Sequence, residues 1–483
     1  MKRISLIKSM SLLNRTFMIL ALGLASLTSV AKDRLVVSKA PAGIELKNDF
    51  KVQARTSGGE WQDIDTYAFK VDRVADAKHN VEVTSVAKFE FEGKIEIQVK
   101  SIAQDIKSYK IRPISYGIEA KQEGNTLTFS LDRPRYLSVE INGNIYQNLQ
   151  IFADNILEKP KVKKKKLMYF GPGVHDFKGD SIHIASGKTV FIDNGAVIKG
   201  WLSTYGSRDV KILGHGIVMP GRHEGIMVRY SKNVYIDGPL TTQLPIGGSD
   251  SVTVKNAKVM SWYGWGDGFN IFASNNIYQE HLFARTSDDC STIYCTRKNY
   301  HGGCRNITIK DFVMWADVAH PIMIGLHSET PENEDITNVL YDNIDILEHA
   351  EYQIDYQGCI GINNGDNILV KGVTFQNFRI DNIRKGMLFN MRVCFNKKYC
   401  SAPGRGIEDI TLRNIAYTGE APNMGIIAGY DESRKVKNIR FENFTINGKV
   451  ISDDMPGKPK WYKTADMANI YVNDHVDNIT FSK

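Results

Sequence analysis

Regular helical patterning is almost absent from this sequence after residue 170, and so are the repeat signatures of leucine-rich, WD and ankyrin proteins. These absences disfavour helical solenoids for the second part of the chain. Cysteine does not occur before residue 290, and no paired CxxC or HxxxH spacing is present, which disfavours a zinc site. No apolar run after residue 27 is long enough to predict a membrane span.

The chain starts with the three-part order of a secretory signal peptide. Four basic residues come first, Lys2, Arg3, Lys8 and Arg15. An apolar run from Phe17 to Leu27 follows, and then the small residues Ser29-Val30-Ala31. We therefore predict a signal over residues 1–31, cleavage after Ala31 and a periplasmic or secreted protein that is not held at the membrane. An uncleaved anchor is the alternative, and the lack of a nearby cysteine argues against lipid attachment.

The formal charge of +7 and the pI near 8.8 indicate mild attraction to polyanions. Part of this excess lies in the signal region and in the run Lys161 to Lys166, so the mature surface is less basic than the total. Nucleic acid is not an expected partner, because an exported chain without a binding motif has no use for it. About 450 residues remain after cleavage, too many for one compact core.

Residues 32–157 alternate apolar and polar positions in short runs broken by Gly, Asn and Pro, which predicts an N-terminal β-sandwich domain. The Lys-rich residues 158–168 are interpreted as a solvated linker, with polyanion binding as the alternative.

From residue 169 to 483 one short phrase recurs, a turn residue (Asn or Asp) followed by a β-branched, alternating strand. Such a repeat suits stacked coils, and Asn and Asp tolerate the left-handed backbone that tight corners need. We predict an all-β chain in which a right-handed parallel β-helix catalytic domain follows the sandwich; a β-propeller is the competing architecture. The phrase occurs at Asp209, Asn233, Asn276, Asn306, Asn338, Asn367, Asp409, Asn438 and Asn478.

Three carboxylates, Asp267, Asp288 and Asp289, occur in two successive coils. Asp267 precedes Asp288 by 21 residues, close to one coil, so all three are expected on one face. Like charges this close raise one another's pKa, and glycosidic hydrolysis needs one protonated acid beside an ionised base. Taken singly, Asp267-Gly268 is also a turn signal and Asp288-Asp289 also a Ca²⁺ ligand pair or a solvated corner.

The phrases Gly266-Asp-Gly-Phe-Asn-Ile271 and Ser287-Asp-Asp-Cys-Ser-Thr-Ile-Tyr294 resemble the polygalacturonase and dextranase families of glycoside hydrolases, families 28 and 49. The sandwich placed first resembles the dextranase arrangement. The resemblance implies an inverting enzyme without cofactor or metal that acts on a polysaccharide. By position it implies that Asp288 is the general acid and that Asp267 and Asp289 hold and activate water.

His320 falls where the polygalacturonase family carries a histidine, and it is predicted to tune the acid's proton or bind a sugar hydroxyl. Trp262, Tyr263 and Trp265 are candidate sugar platforms, with burial in the core as the alternative. Candidate ligands for anionic sugar groups, or else solvated coil edges, are Arg285, Arg297 and Lys298, with His301 and Arg305 beside them.

The sequence departs from the polygalacturonase pattern around these positions. Trp265 and Gly266 replace an Asn and a Thr, Ala319 and Pro321 replace glycines, and Arg392 is the nearest substitute for a missing Arg-Ile-Lys phrase. The substrate prediction therefore stays broad: an anionic or sulfated polysaccharide, or an α-glucan.

Two other functions suit this fold: a polysaccharide lyase or epimerase, and a glycan-binding adhesin without catalysis. An adhesin has no need of three crowded carboxylates. In an exported protein, the six cysteines at 290, 295, 304, 359, 394 and 400 also permit disulfides, with Cys394–Cys400 as the first choice because they flank a short loop.

Overall fold

The computed structural model describes residues 33–76, 78–221, 224–327, 332–420 and 422–483, so the predicted signal segment lies outside the described residues. Within these ranges, no helix has the length and apolar character needed to cross a membrane.

The N-terminal part contains two mainly antiparallel sheets with the orders β1-β5-β11-β10-β7, where β4 also pairs with β5, and β3-β2-β6-β9-β8. Alternate residues of both sheets meet in one apolar core, which confirms the predicted sandwich. Its strands are β1 (Arg34–Val36), β2 (Phe50–Thr56), β3 (Gln62–Ile64), β4 (Thr66–Ala75), β5 (Lys78–Glu92), β6 (Ile95–Ser101), β7 (Tyr109–Arg112), β8 (Lys121–Glu123), β9 (Thr126–Leu131), β10 (Arg135–Ile141) and β11 (Leu149–Asn155).

The remaining strands stack in parallel, coil upon coil, which confirms the predicted β-helix. They are β12 (Leu167–Phe170), β13 (Gly173–His183), β14 (Thr189–Ile192), β15 (Ala196–Ser203), β16 (Arg208–Leu213), β17 (Ile217–Val218), β18 (Ile226–Arg229), β19 (Lys232–Asp237), β20 (Leu240–Thr241), β21 (Ile246–Gly247), β22 (Asp250–Lys255), β23 (Lys258–Met260), β24 (Phe269–Phe272), β25 (Asn275–Thr286), β26 (Ser291–Tyr294), β27 (Cys304–Ala316), β28 (Ile322–Ile324), β29 (Glu334–Ala350), β30 (Ile360–Asn364), β31 (Ile368–Ile380), β32 (Ile383–Lys385), β33 (Phe389–Val393), β34 (Gly406–Tyr417), β35 (Gly425–Ala428), β36 (Val436–Glu442), β37 (Phe444–Ile446), β38 (Lys449–Ile451), β39 (Ile470–Val472) and β40 (Val476–Ser482).

Helical structure in the described ranges is limited to short turns. A single α-helical turn, α1 (Thr464–Met467), precedes β39, and three 3-10 turns span Ile114–Tyr116, Lys164–Lys166 and Ile354–Tyr356.

The recurring Asn or Asp forms a ladder along one corner of the β-helix. All nine predicted positions have a left-handed backbone, with φ between 55° and 63°. The side chains also bond from coil to coil: the Asn306 Nδ2 donates to Asn276 Oδ1 at 2.9 Å and the Asn338 Nδ2 to Asn306 Oδ1 at 2.8 Å. Buried Ile, Val and Phe side chains of successive strands fill the interior. The repeated phrase therefore supplies both the corner and the core.

The sandwich is joined to the β-helix by an apolar cluster and by buried ion pairs. Phe69 and Phe152 of the sandwich share a cluster with Phe283 and Trp315 of the helix. The Lys258 Nζ donates to Asp154 Oδ1 at 2.8 Å. Removing one partner of such a pair would leave an uncompensated buried charge at this contact between sandwich and β-helix.

Candidate active site

The three aspartates are brought together by strand pairing. Asp267 lies two residues before β24, and Asp289 lies two residues before β26. These strands pair in parallel with Phe269 opposite Ser291, so the two aspartates occupy equivalent places in adjacent coils. Asp288, next to Asp289, completes the set.

Gly268 permits the close approach of the two coils at this point. Its N–H donates to the Asp289 carbonyl at 2.8 Å, and a Cβ at this position would lie 2.3 Å from the Cys290 carbonyl oxygen. No side chain fits there without moving the backbone, so Asp267-Gly268 is more than a turn signal.

One carboxylate oxygen from each of Asp267, Asp288 and Asp289 lies within 4.8 Å of the other two. Asp289 is buried and held from two sides: the Tyr294 hydroxyl donates to Oδ2 at 3.1 Å, and the His320 Nδ1 lies 2.7 Å from Oδ1. Asp267 and Asp288 are partly open to the cleft. The sequence prediction of one crowded carboxylate patch is thus realised in the geometry.

The surroundings of the three aspartates shift their pKa values in different directions. Burial, and then the charges of Asp267 and Asp289, raise the pKa of Asp288 well above its ordinary value. Burial also tends to raise the pKa of Asp289, but the charge and hydrogen bond of His320 outweigh it and lower that pKa. Burial and the Asp289 charge raise the pKa of Asp267 to about 7. These surroundings favour the protonated form of Asp288 and the ionised form of Asp289.

His320 acts on Asp289 and does not reach the cleft. Its side chain is fully buried, its Nε2 lies 2.5 Å from the Tyr356 carbonyl oxygen, and its backbone N–H donates to Asp289 Oδ1 at 3.2 Å. Burial alone would lower the pKa of His320, but the Asp289 carboxylate raises it. The structure therefore favours the role of tuning the acid set over direct contact with a sugar hydroxyl.

A cleft of about 900 Å³ opens over the aspartates. Of the other predicted residues, Tyr263, Trp265, Arg297 and Lys298 line it. Trp265 is 83% exposed and has a φ of 69°. A left-handed backbone conformation is strained at a bulky residue, and such strained residues cluster at functional sites. At Trp265 this conformation places the indole at the cleft mouth.

Three predicted binding residues lie away from the cleft lining. Arg285 is fully buried, and its guanidinium donates to both carboxylate oxygens of Asp317, at 2.8 and 3.1 Å, and to Asn148 of the sandwich. Trp262 packs beneath the Lys70 ammonium, 4.4 Å from the ring centroid. Arg392 is bound to Asn390 and to the Asp355 carbonyl. Arg285 is thus structural, because its charge is already paired.

Other cleft residues carried no signal in the sequence. Val74 and His79 come from the β4–β5 hairpin of the sandwich, and the Tyr352 hydroxyl donates to the Val74 carbonyl at 3.4 Å. Only tertiary packing brings this hairpin to the site. The remaining members include Tyr294, His327, Glu351, Tyr356, Lys398 and Tyr399.

The six cysteines are free thiols in the structure. Those of Cys394 and Cys400 share a hydrogen bond, so they are in contact, and their loop carries Lys398 and Tyr399 into the cleft wall. A disulfide between them stays a prediction.

Residues 225–458 match the family model of glycosyl hydrolases family 28. This segment contains all three aspartates and His320. The chain is a polygalacturonase- and dextranase-like parallel β-helix protein. The family match supports the coarser functional prediction, a glycoside hydrolase. No curated protein sequence matches the chain.

The similar solved structures show the fold. Dex49A from Penicillium minioluteum has a TM-score of 0.63 at 13% identity, over 92% of this chain and 96% of that one. A family 28 exopolygalacturonase from Yersinia enterocolitica has a TM-score of 0.46 at 11% identity, over 80% and 96%. PfbA, a surface adhesin of Streptococcus pneumoniae, has a TM-score of 0.39 at 15% identity, over 64% and 76%.

The three aspartates also meet the distance condition for a divalent cation, because carboxylate oxygens are the ligands of Ca²⁺ and Mg²⁺. Both oxygens of Asp289 already have partners, Tyr294 and the cationic His320, and a metal would be repelled by that imidazolium. We expect dialysis against EDTA to leave kcat unchanged within about 2-fold. Loss of activity on dialysis, restored by Ca²⁺ or Mg²⁺, would show instead that the three carboxylates bind a metal.

Proposed function

We propose that this protein hydrolyses glycosidic bonds of a polysaccharide with inversion, with Asp288 as the general acid and Asp267 and Asp289 as the groups that activate water. The observation that carries this proposal is a geometric contrast within one cluster. Asp289 is buried, with His320 Nδ1 2.7 Å from its Oδ1, which lowers its pKa, whereas Asp288 is partly open to the cleft beside two other carboxyl groups, and burial together with their charges raises its pKa. A carboxylic acid beside a carboxylate is what glycosidic hydrolysis needs.

In the proposed reaction, the Asp288 proton passes to the glycosidic oxygen as the bond to the anomeric carbon breaks. A water molecule held by Asp289 and Asp267 attacks that carbon from the opposite face and gives up its proton to the carboxylates. The ionised Asp289 also stabilises the positive charge that develops on the sugar ring. Asp288 then regains a proton from solvent and the water-activating carboxylate returns to solvent the proton it took, so the net change is addition of one water across the bond.

The carboxylate separation decides how water can be held. A water about 2.8 Å from each of two oxygens bridges atoms up to ~5.6 Å apart, and the nearest oxygens here lie within 4.8 Å. Inverting enzymes place whole carboxyl groups about 6.5–9.5 Å apart, and retaining enzymes about 5–5.5 Å. The nearest oxygens of two carboxyl groups are closer together than the carboxyl groups themselves, so the 4.8 Å limit is compatible with a bridging water. The configuration of the product therefore gives the sharpest test of the water-activation step.

For the substrate, we propose a polysaccharide with anionic substituents. Arg297 and Lys298 line the cleft, and the Arg297 guanidinium is held over the rings of Phe272 and Tyr294, 5.6 and 5.2 Å from their centroids. A fixed guanidinium beside the site suits a sulfate or carboxylate group. A neutral α-glucan is the alternative, because Trp265 and Tyr263 provide aromatic surface without requiring charge.

The test is to screen the purified protein against pectin, sulfated algal glycans and dextran for new reducing ends. Proton NMR of the first-formed product should show the inverted anomer, because water attacks opposite the departing oxygen. The retained anomer would mean that a carboxylate attacks the sugar directly. Reducing ends with the absorbance of an unsaturated sugar would identify a lyase, and no cleavage of any polymer would favour an adhesin.

Export is part of the same proposal, since polysaccharides are met outside the cytoplasm. It rests on the order of basic, apolar and small residues up to Ala31. Mass measurement of the protein recovered from the periplasm or medium should give an N-terminus at Lys32.

A further inference from the structure

Two exposed aromatic side chains and one methionine form a cluster far from the catalytic aspartates. Trp461 is 83% exposed, Met424 52% and Tyr471 50%, and together they line a shallow cavity of about 420 Å³. We call these three residues the distal platform. Large exposed aromatic surface is unfavourable in water and marks a binding surface.

The distal platform lies on the same sheet face as the catalytic cleft. The strands that carry the site, β24 and β26, continue through β28, β30, β33 and β35 to β39. Their core-facing residues belong to one apolar interior, so the alternate residues of each strand face outward.

Strand register links the two places directly. One outward column starts at Asn270, which hydrogen bonds to Asp267, and ends at Tyr471. Six register steps separate them, which at about 4.8 Å per rung is roughly 29 Å. The column runs through Asn270, Thr292, Met323, Gly361, Asn390, Ile426 and Tyr471.

The middle of this column is covered, its Tyr471 end is half exposed, and Asn270 at the other end is buried beneath the cleft residue Asp267. A small cluster that includes Tyr294, Met323 and Tyr356 packs over the outward face between them. Beyond it, the Asn423 side chain bonds to Gln357 Oε1 at 2.7 Å, next to Met424 of the platform. The loop of residues 353–357 therefore lies between the two places: Gln353 and Tyr356 line the cleft, and Gln357 contacts Asn423 beside the platform.

The chemistry of the platform suits a sugar chain. Its rings and the Met424 side chain offer apolar surface to C–H bonds, and polar side chains of Lys463, Asp466 and Asn469 line the same cavity. Aromatic surface edged by hydrogen-bonding groups is the composition of a site for an amphipathic ligand. A second protein chain would be expected to seek a larger apolar area.

We propose that the distal platform is a second glycan-binding site that holds the polysaccharide several sugar units away from the scissile bond. Trp461 and Tyr471 stack on pyranose faces, and the platform retains the polymer while the cleft cuts it. The identity of this ligand rests on the proposed function, but binding at the platform can be measured without turnover.

The test uses affinity gel electrophoresis in gels cast with dextran, polygalacturonate or carrageenan, in an Asp288→Asn background that cannot cleave the gel. We expect at least one polymer to retard the protein. Trp461→Ala and Tyr471→Ala should each weaken this retardation about 3–10-fold, the range that one aromatic contact provides. The matched control is Tyr430→Ala, which removes an exposed tyrosine outside the platform.

A second measurement separates the platform from the cleft. In the active enzyme, Trp461→Ala should lower kcat/KM on the long polymer and leave hydrolysis of a short oligosaccharide unchanged. Unaltered retardation in both platform variants, or no retardation by any polymer, would overturn the proposal. So would a dimer in sedimentation that Trp461→Ala dissociates. Failure of the proposed hydrolysis would show instead as absent reducing ends in the wild-type protein.

Discussion

Asp288→Asn should lower kcat by about 10²–10⁴-fold or more while polymer binding is retained. The asparagine keeps the shape of the side chain but has no proton to give to the departing oxygen. The measurement is the rate of reducing-end formation, with affinity electrophoresis on the same protein. Activity within about 3-fold of wild type would remove Asp288 from the role of general acid.

The same variant should be at least as stable as the wild type at pH 8. Because folding raises the pKa of Asp288, its ionisation costs the wild-type protein stability as pH rises above the ordinary carboxyl pKa; the variant lacks this contribution and keeps that of Asp267. Thermal unfolding at pH 4 and pH 8 should show a Tm difference that grows with pH. Asp317→Asn is the control: it breaks the buried pair with Arg285, so stability should fall by about 3–5 kcal/mol while kcat stays close to wild type.

Replacing His320 should give the second large effect, through Asp289. His320→Ala removes the charge and the hydrogen bond that lower the pKa of Asp289, so this carboxylate takes up a proton at higher pH. We expect kcat to fall about 10²-fold at pH 5 and the acidic limb of the kcat/KM profile to move to higher pH. The profile reports the coupled set of acids rather than one residue.

His320→Asn separates the two contributions. Its amide nitrogen can occupy the place of Nδ1 and donate to Asp289 Oδ1, but it carries no charge. The fold and part of kcat should return, while the acidic limb should stay displaced. An acidic limb that does not move in either variant would assign His320 a purely structural role.

Particular residues show how far sequence alone reaches. The left-handed Asn and Asp corners were predictable because this conformation depends on the residue and its immediate neighbours. The meeting of Asp267 with Asp288 and Asp289 was predictable because a solenoid turns sequence period into spatial position. Arg285 shows the limit. It was predicted to bind an anionic sugar, yet it pairs with Asp317 and reaches Asn148 of the sandwich, contacts more than 30 and 130 residues away in sequence.

The sequence by itself determined the all-β class, the coil repeat and the three aspartates, since each follows from local pattern and period. Only the tertiary structure shows how the surroundings of the three carboxylates differ. The pKa of Asp289 falls because His320, from the next coil, lies against it, and that of Asp288 rises because of burial and the charges of Asp267 and Asp289. The structure also brought His79 of the sandwich to the cleft and Tyr471 to its sheet face. Burial and charge pairing depend on which distant segments pack together, and no local pattern encodes them.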